Sequence, residues 1–321
     1  MDNPMPLPLE LVLSVITNSL PKYRNVILSP SHPITQTLLS FTLVCHETRK
    51  VANRYLRQYC VYLSSEARLR AFLLEIPHRP ELRQTDSLFL APFDGGTIDD
   101  LPTASFVREL FNYTCGSLKR LIIDIPLRSL YPENDHLAVR TVLREGFQKL
   151  ENLEELVSVR DELFLSITHH GGELPVWKFW PKLRRLALYN VDADSDFWRD
   201  VAHMKALETV VLTRADGLRD NNIKKAYFKH ADRRLKVLLI NVEEDQIRFS
   251  NMPRINWDKI DAMKKMTIMT YNVPCPFEED DPVDICQDYV RIGAENGTVW
   301  DWEGEQIQHQ PRVSDARLQL G

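Results

Sequence analysis

The chain has 321 residues, 44% of them hydrophobic and 26% charged, with a formal net charge of −5. That is long enough to bury a large core. No apolar run is long enough to span a bilayer, and the acidic balance opposes general nucleic-acid binding, which needs a concentrated basic surface. Met1-Asp2-Asn3-Pro4 has neither the basic nor the apolar region of a secretory signal. Cysteines 45, 60, 115, 275 and 286 are odd in number and lack paired spacing, which favours a reduced cytoplasmic or nuclear setting.

In chain order, the first elements are helical. After Pro8, apolar residues at Leu9, Val12, Leu13, Ile16 and Leu20 keep the spacing of one helix face. A proline at the start suits a position whose N–H would have no helical partner. Pro21 stops this helix, a polar loop runs to Pro33, and Ser31 or a neighbour is placed to cap a second helix. A second apolar series takes in Ile34, Leu38, Phe41 and Val44, then Val51, Ala52 and Tyr55. Such a short helical module has a marginal core of its own.

These residues resemble the F-box. Leu7-Pro8-Leu9-Glu10-Leu11, the apolar Val15, Ile16 and Leu20, then Leu38-Leu39, Val44-Cys45 and Ala52 match its form: Leu-Pro-x-Glu-Leu, an apolar helix, then a Val-Cys-basic helix. The likeness covers residues 6–56 and departs from the family in a longer loop at 21–33, in Thr48 where an aromatic is common, and in lacking a closing Leu-Trp. It implies docking on the Skp-family adaptor of a cullin–RING ubiquitin ligase, with adaptor contacts on Leu7, Pro8, Leu11, Val15, Ile16, Leu39, Val44 and Cys45. The plainer reading is a helical cap on the end of a repeat array, which such arrays need.

Beyond residue 57 a phrase recurs six times with leucine-like residues at its first, fourth and sixth places. It begins at Leu118, Leu153, Leu183, Leu207, Leu235 and Met263. Starts so spaced mark a strand-plus-helix repeat, no unit of which buries its own apolar face. Two earlier strands are expected at Tyr59–Leu63 and Ser87–Leu90. Apolar stripes predict helices around Leu69–Ile76, Phe106–Phe111, Val139–Leu150, Phe197–Met204 and Ile223–Phe228. The expected fold is α/β: an F-box-like helical module (1–56), an irregular leucine-rich-repeat solenoid with strands on its concave face (57–273), and an acidic C-terminal segment (274–321).

Strand alternation puts three rows on the concave face. Candidate substrate contacts there are Arg120, Ile122, Arg185, Ala187, Tyr189, Val211 and Leu239. The middle row is largely apolar, which is odd for a wet surface, so a partner or the tail with Trp300 and Trp302 is expected to cover it. Residues 275–305 hold ten acids against Arg291 alone, a solvated tail or a docking segment.

No catalytic or metal motif emerges. His169-His170-Gly171-Gly172 has no nucleophile elbow to serve, Cys275 and Cys286 lack a histidine pair, and Asp192, Asp194 and Asp196 lack the rest of a calcium loop. The expected function is therefore not enzymatic and needs no cofactor. The chain would present a protein substrate to the ligase, with no nucleic acid and no membrane involved. Alternatives are an interaction scaffold without a ligase role and a closed β/α-barrel enzyme, in which polar residues after the strands would form the site.

Overall fold

A computed structural model describes residues 8–21, 25–168, 172–242, 252–275 and 281–308. Three helices come first: α1 (Leu9–Asn18), α2 (Pro33–Phe41) and α3 (His46–Tyr59). Pro33 occupies the first turn of α2, and the His32 ring, rather than Ser31, accepts the Ile34 N–H. The long apolar series divides at Thr42–Cys45, where the Thr48 hydroxyl accepts the Cys45 N–H and starts α3. Ile16, Leu38 and Ala52 form the small core of this module, packed by Leu13, Phe41 and Tyr55.

Among the described residues the body is a nine-stranded sheet: β1 (Tyr62–Leu63), β2 (Ser87–Leu90), β3 (Arg120–Ile123), β4 (Glu155–Ser158), β5 (Arg185–Tyr189), β6 (Thr209–Thr213), β7 (Leu235–Val242), β8 (Met266–Val273) and β9 (Glu305–Gln306). Strand order follows chain order. Every pairing is parallel except β8 with β9. Tyr59 ends α3 instead of starting a strand. The described strands do not close on themselves, since β1 and β9 end the order, so the closed barrel is not the fold.

Between strands lie α4 (Glu66–Glu75), α5 (Leu101–Thr114), α6 (Val139–Gln148), α7 (Ser195–His203) and α8 (Ile223–Phe228). A short 3-10 turn, Val176–Phe179, stands between β4 and β5, and a single turn, Trp257–Ile260, precedes β8. Side chains start most of these helices: Ser65, Asp100, Asp194 and Asn222 each accept the backbone N–H three residues on. All five helices pack on one face of the sheet, and Leu121, Leu156, Leu186, Val210 and Leu239 lie in that core.

The opposite face has its own core. The register aligns Phe89, Ile122, Val157, Ala187, Val211, Leu238 and Met269 in one row. Over it lies the C-terminal helix, Pro282–Glu295, together with Val299 and Trp300. A sheet buried on both faces uses apolar residues at successive positions, as β7 does.

Candidate functional site

The N-terminal module leaves several large apolar side chains exposed. Leu11 and Val15, four residues apart and so on one stripe of α1, are 53% and 52% exposed. Leu39 on α2 and Leu43 and Val44 after it are exposed as well, Val44 at 63%. Pro8 and Cys45 lie at the surface beside them in sequence. The Cys45 thiol is drawn below its ordinary pKa, chiefly by its hydrogen bond with the Thr48 hydroxyl. Of the eight expected adaptor contacts, six are thus open to a partner. Ile16 is not: it is fully buried against Leu38 and Ala52, because α1 must give one residue per turn to the module's own core. Leu7 lies outside the described residues.

The expected substrate face requires correction. Ile122, Ala187 and Val211 are buried beneath the C-terminal helix, as is Tyr189, whose hydroxyl burial pushes up to about 12. Arg120 is buried too. Its guanidinium donates to the Ala294 carbonyl at 3.2 Å and pairs with Glu155 at 3.0 Å, while burial pulls its pKa down. Arg185 is half-buried, paired with Glu155 at 3.1 Å and lying over the Trp300 ring. Leu239 points the other way, into the core under the helices. Its place in the phrase misleads because β7 starts at Leu235 itself, so alternation assigns Leu235, Val237 and Leu239 to the helix side.

The chain supplies its own cover for that apolar row. Cys286, Val290 and Ala294 fall on one side of the C-terminal helix and meet the sheet, with Asp284 and Asp288 carrying acids of the segment elsewhere on it. The segment is therefore an integral layer and not a solvated tail. Its end is fixed by close fits. Gly297 (φ +71°) donates to Ala294 O, and Thr298 N–H reaches Gly293 O, the paired bonds of a glycine helix stop. A Cβ on Gly297 would come 2.3 Å from the Asn25 carbonyl, and one on Gly293 2.2 Å from the Trp302 ring. The same segment holds the module: Ile27 N–H donates to Glu295 O at 2.7 Å, and the Tyr62 hydroxyl donates to the Glu295 carboxylate at 2.9 Å. The Lys236 ammonium reaches the Trp300 carbonyl at 2.8 Å.

Several polar residues after the strands, the places a barrel enzyme would use, are engaged in side-chain pairs. Arg160 binds Asp124, Arg128 binds Glu162, and Arg214 donates to Asn241. Glu243, Glu244 and the His169-His170-Gly171 loop lie outside the described residues. A groove of about 440 Å³ between α3 and α4, lined by Leu56, Cys60, Phe72, Arg57 and Arg68, had no signal in the repeat pattern. Among the described residues no three His, Cys, Asp or Glu side chains are grouped to hold a metal ion, and no helix is long and apolar enough to cross a membrane. No family model matches this chain, and no curated protein and no solved structure matches it either.

Proposed function

We propose that this chain is the substrate-recognition subunit of a Skp–cullin–F-box ubiquitin ligase in the cytoplasm or nucleus. In this reading residues 1–56 are an F-box-like module that docks on the Skp-family adaptor, and the parallel sheet with its helices is an irregular leucine-rich-repeat body that carries the substrate. The observation that carries it is the exposure of Leu11, Val15, Leu39, Leu43 and Val44 on a module whose small core is Ile16, Leu38 and Ala52. Apolar anchors at the centre of a helix–helix interface supply most of its binding energy. The ligase role is then one of proximity: holding the target beside the ligase raises its effective concentration. With the middle row of the sheet covered, the substrate would meet the edges of the body.

Co-purification and calorimetry with the Skp adaptor test the proposal. The expected outcome is a one-to-one complex that Leu11→Asp/Val15→Asp weakens by about 100-fold, the loss of two anchors. Ile292→Asp, at an exposed apolar position on the C-terminal helix, should leave binding unchanged. If the intact protein does not bind the adaptor, the ligase assignment fails.

A further inference from the structure

The two edges of the sheet carry opposite charge. The five strand-to-helix connections from β2 to α8 hold thirteen acids against four bases. The seven helix-to-strand connections from α4 to β8 hold twelve bases against seven acids. Helix polarity explains part of this, since acids favour helix N-termini and bases C-termini. Asp100 and Asp194 cap their helices, and the Arg233 guanidinium closes the end of α7 by donating to the Val201 and Met204 carbonyls at 2.9 and 2.6 Å.

Three cations of this edge stand together. Lys182, Lys205 and Arg234 lie in the connections just before β5, β6 and β7, which are neighbouring strands, and all three are exposed. Lys182 donates to the Asn152 side-chain oxygen at 2.6 Å. Among the described residues, Lys205 and Arg234 make no ion pair. All three line one groove of about 550 Å³ with Arg184 and Leu207, into which Glu154 and Glu208 also project. Glu208 is engaged by Arg184 through both oxygens, at 2.9 and 3.0 Å.

We propose that this groove docks an acidic segment of a partner polypeptide, which, resting on the ligase role, gives the class of the substrate. The interleaved carboxylates favour a polypeptide over a nucleic acid. A phosphate backbone bears a charge at every nucleotide and would meet Glu154 and Glu208, whereas a peptide can place neutral residues and N–H donors there. An interface built from rim charges is recognised by its salt dependence.

The test is fluorescence anisotropy on the full chain with a labelled Asp/Glu-rich peptide and, separately, a single-stranded DNA of equal net charge. The wild type should bind the peptide more tightly than the DNA, and added salt should weaken it. Lys182→Glu/Lys205→Glu/Arg234→Glu should weaken the peptide by about tenfold or more, with the far-ultraviolet spectrum unchanged. The milder Lys205→Gln/Arg234→Gln should fall between, and Arg219→Glu on the acidic edge should match wild type. Adaptor binding, measured on the same samples, should be unaltered in all variants, so failure here is distinct from failure of the ligase assignment. No peptide binding by wild type, equal binding by the triple variant, or tighter binding of DNA would each overturn the proposal. So would salt-reversible self-association abolished in the triple variant, which would give the edge to a second copy of this chain.

Discussion

Asp161, just beyond β4, is 2% exposed. One carboxylate oxygen accepts the backbone N–H groups of Leu163 and Phe164, at 2.8 and 3.4 Å, and the other is buried with no hydrogen-bond partner among the described residues. Beside it the Arg140 guanidinium gathers the carbonyls of Leu127, Leu130, Phe164 and Ser166, which fixes the loop. Burial, then the charge of Glu162, pushes the Asp161 carboxyl up to about 7. The folded chain therefore keeps this proton to a higher pH than the unfolded chain, whose Asp titrates near 3.9. The contribution to stability is greatest below about pH 4 and is lost as pH rises to about 7. Asp161→Asn keeps the accepting oxygen and removes the charge. It should raise the unfolding free energy at pH 8 by roughly 2 kcal/mol and leave it unchanged near pH 4. Urea unfolding at the two pH values decides the matter, and a less stable Asn variant at pH 8 refutes it. Nothing in the local pattern marks Asp161 or Arg140 as buried, because their burial depends on loop carbonyls brought together from separate connections.

Elements were easier to read than residues. The 1-4-6 phrase located β3 to β8, and apolar stripes located α4 to α8, since strand and helix periods differ enough to separate in a short window. Where the sequence misleads, the reason is physical. In β7, Leu238 and Leu239 are both buried, one on each face of the sheet, so hydrophobicity cannot distinguish its two registers; only where the strand begins does. Leu239→Ala should therefore cost about 2–5 kcal/mol, the range for a truncated core leucine. As a surface contact it would cost within about 0.5 kcal/mol. Chemical denaturation distinguishes the two, and a near-neutral result would restore Leu239 to the exposed row. The C-terminal helix was hidden by its acids, although Val283, Cys286, Val290 and Ala294 recur at helical spacing and Gly297 marks its stop. Ile16 shows the same limit in α1. A helix with apolar residues on several faces does not reveal which face its own module keeps.

At the scale of the whole molecule, the three-part division into module, repeats and tail describes the chain's composition but not its construction. The C-terminal segment touches both other parts. Cys286, Val290, Ala294 and Trp300 cover the sheet, while Glu295 holds Ile27 and Tyr62 beside the module. Removing it would uncover Phe89, Ile122, Val157, Val211 and Leu238 at once. At about 1.5–3 kcal/mol for each large apolar side chain, the loss is on the order of 10 kcal/mol. That is comparable with the entire stability of a typical domain, about 5–15 kcal/mol. A cover of such worth is not displaced by a ligand of ordinary affinity, so the proposed recognition role would fall to the edges of the body. A chain ending at Asp281 should lose its cooperative thermal transition and bind an apolar dye strongly, whereas the full chain melts in one step. If the shortened chain instead melts at the same temperature and binds no extra dye, the C-terminal layer is dispensable, and the row from Phe89 to Met269 returns as the surface on which a substrate is held.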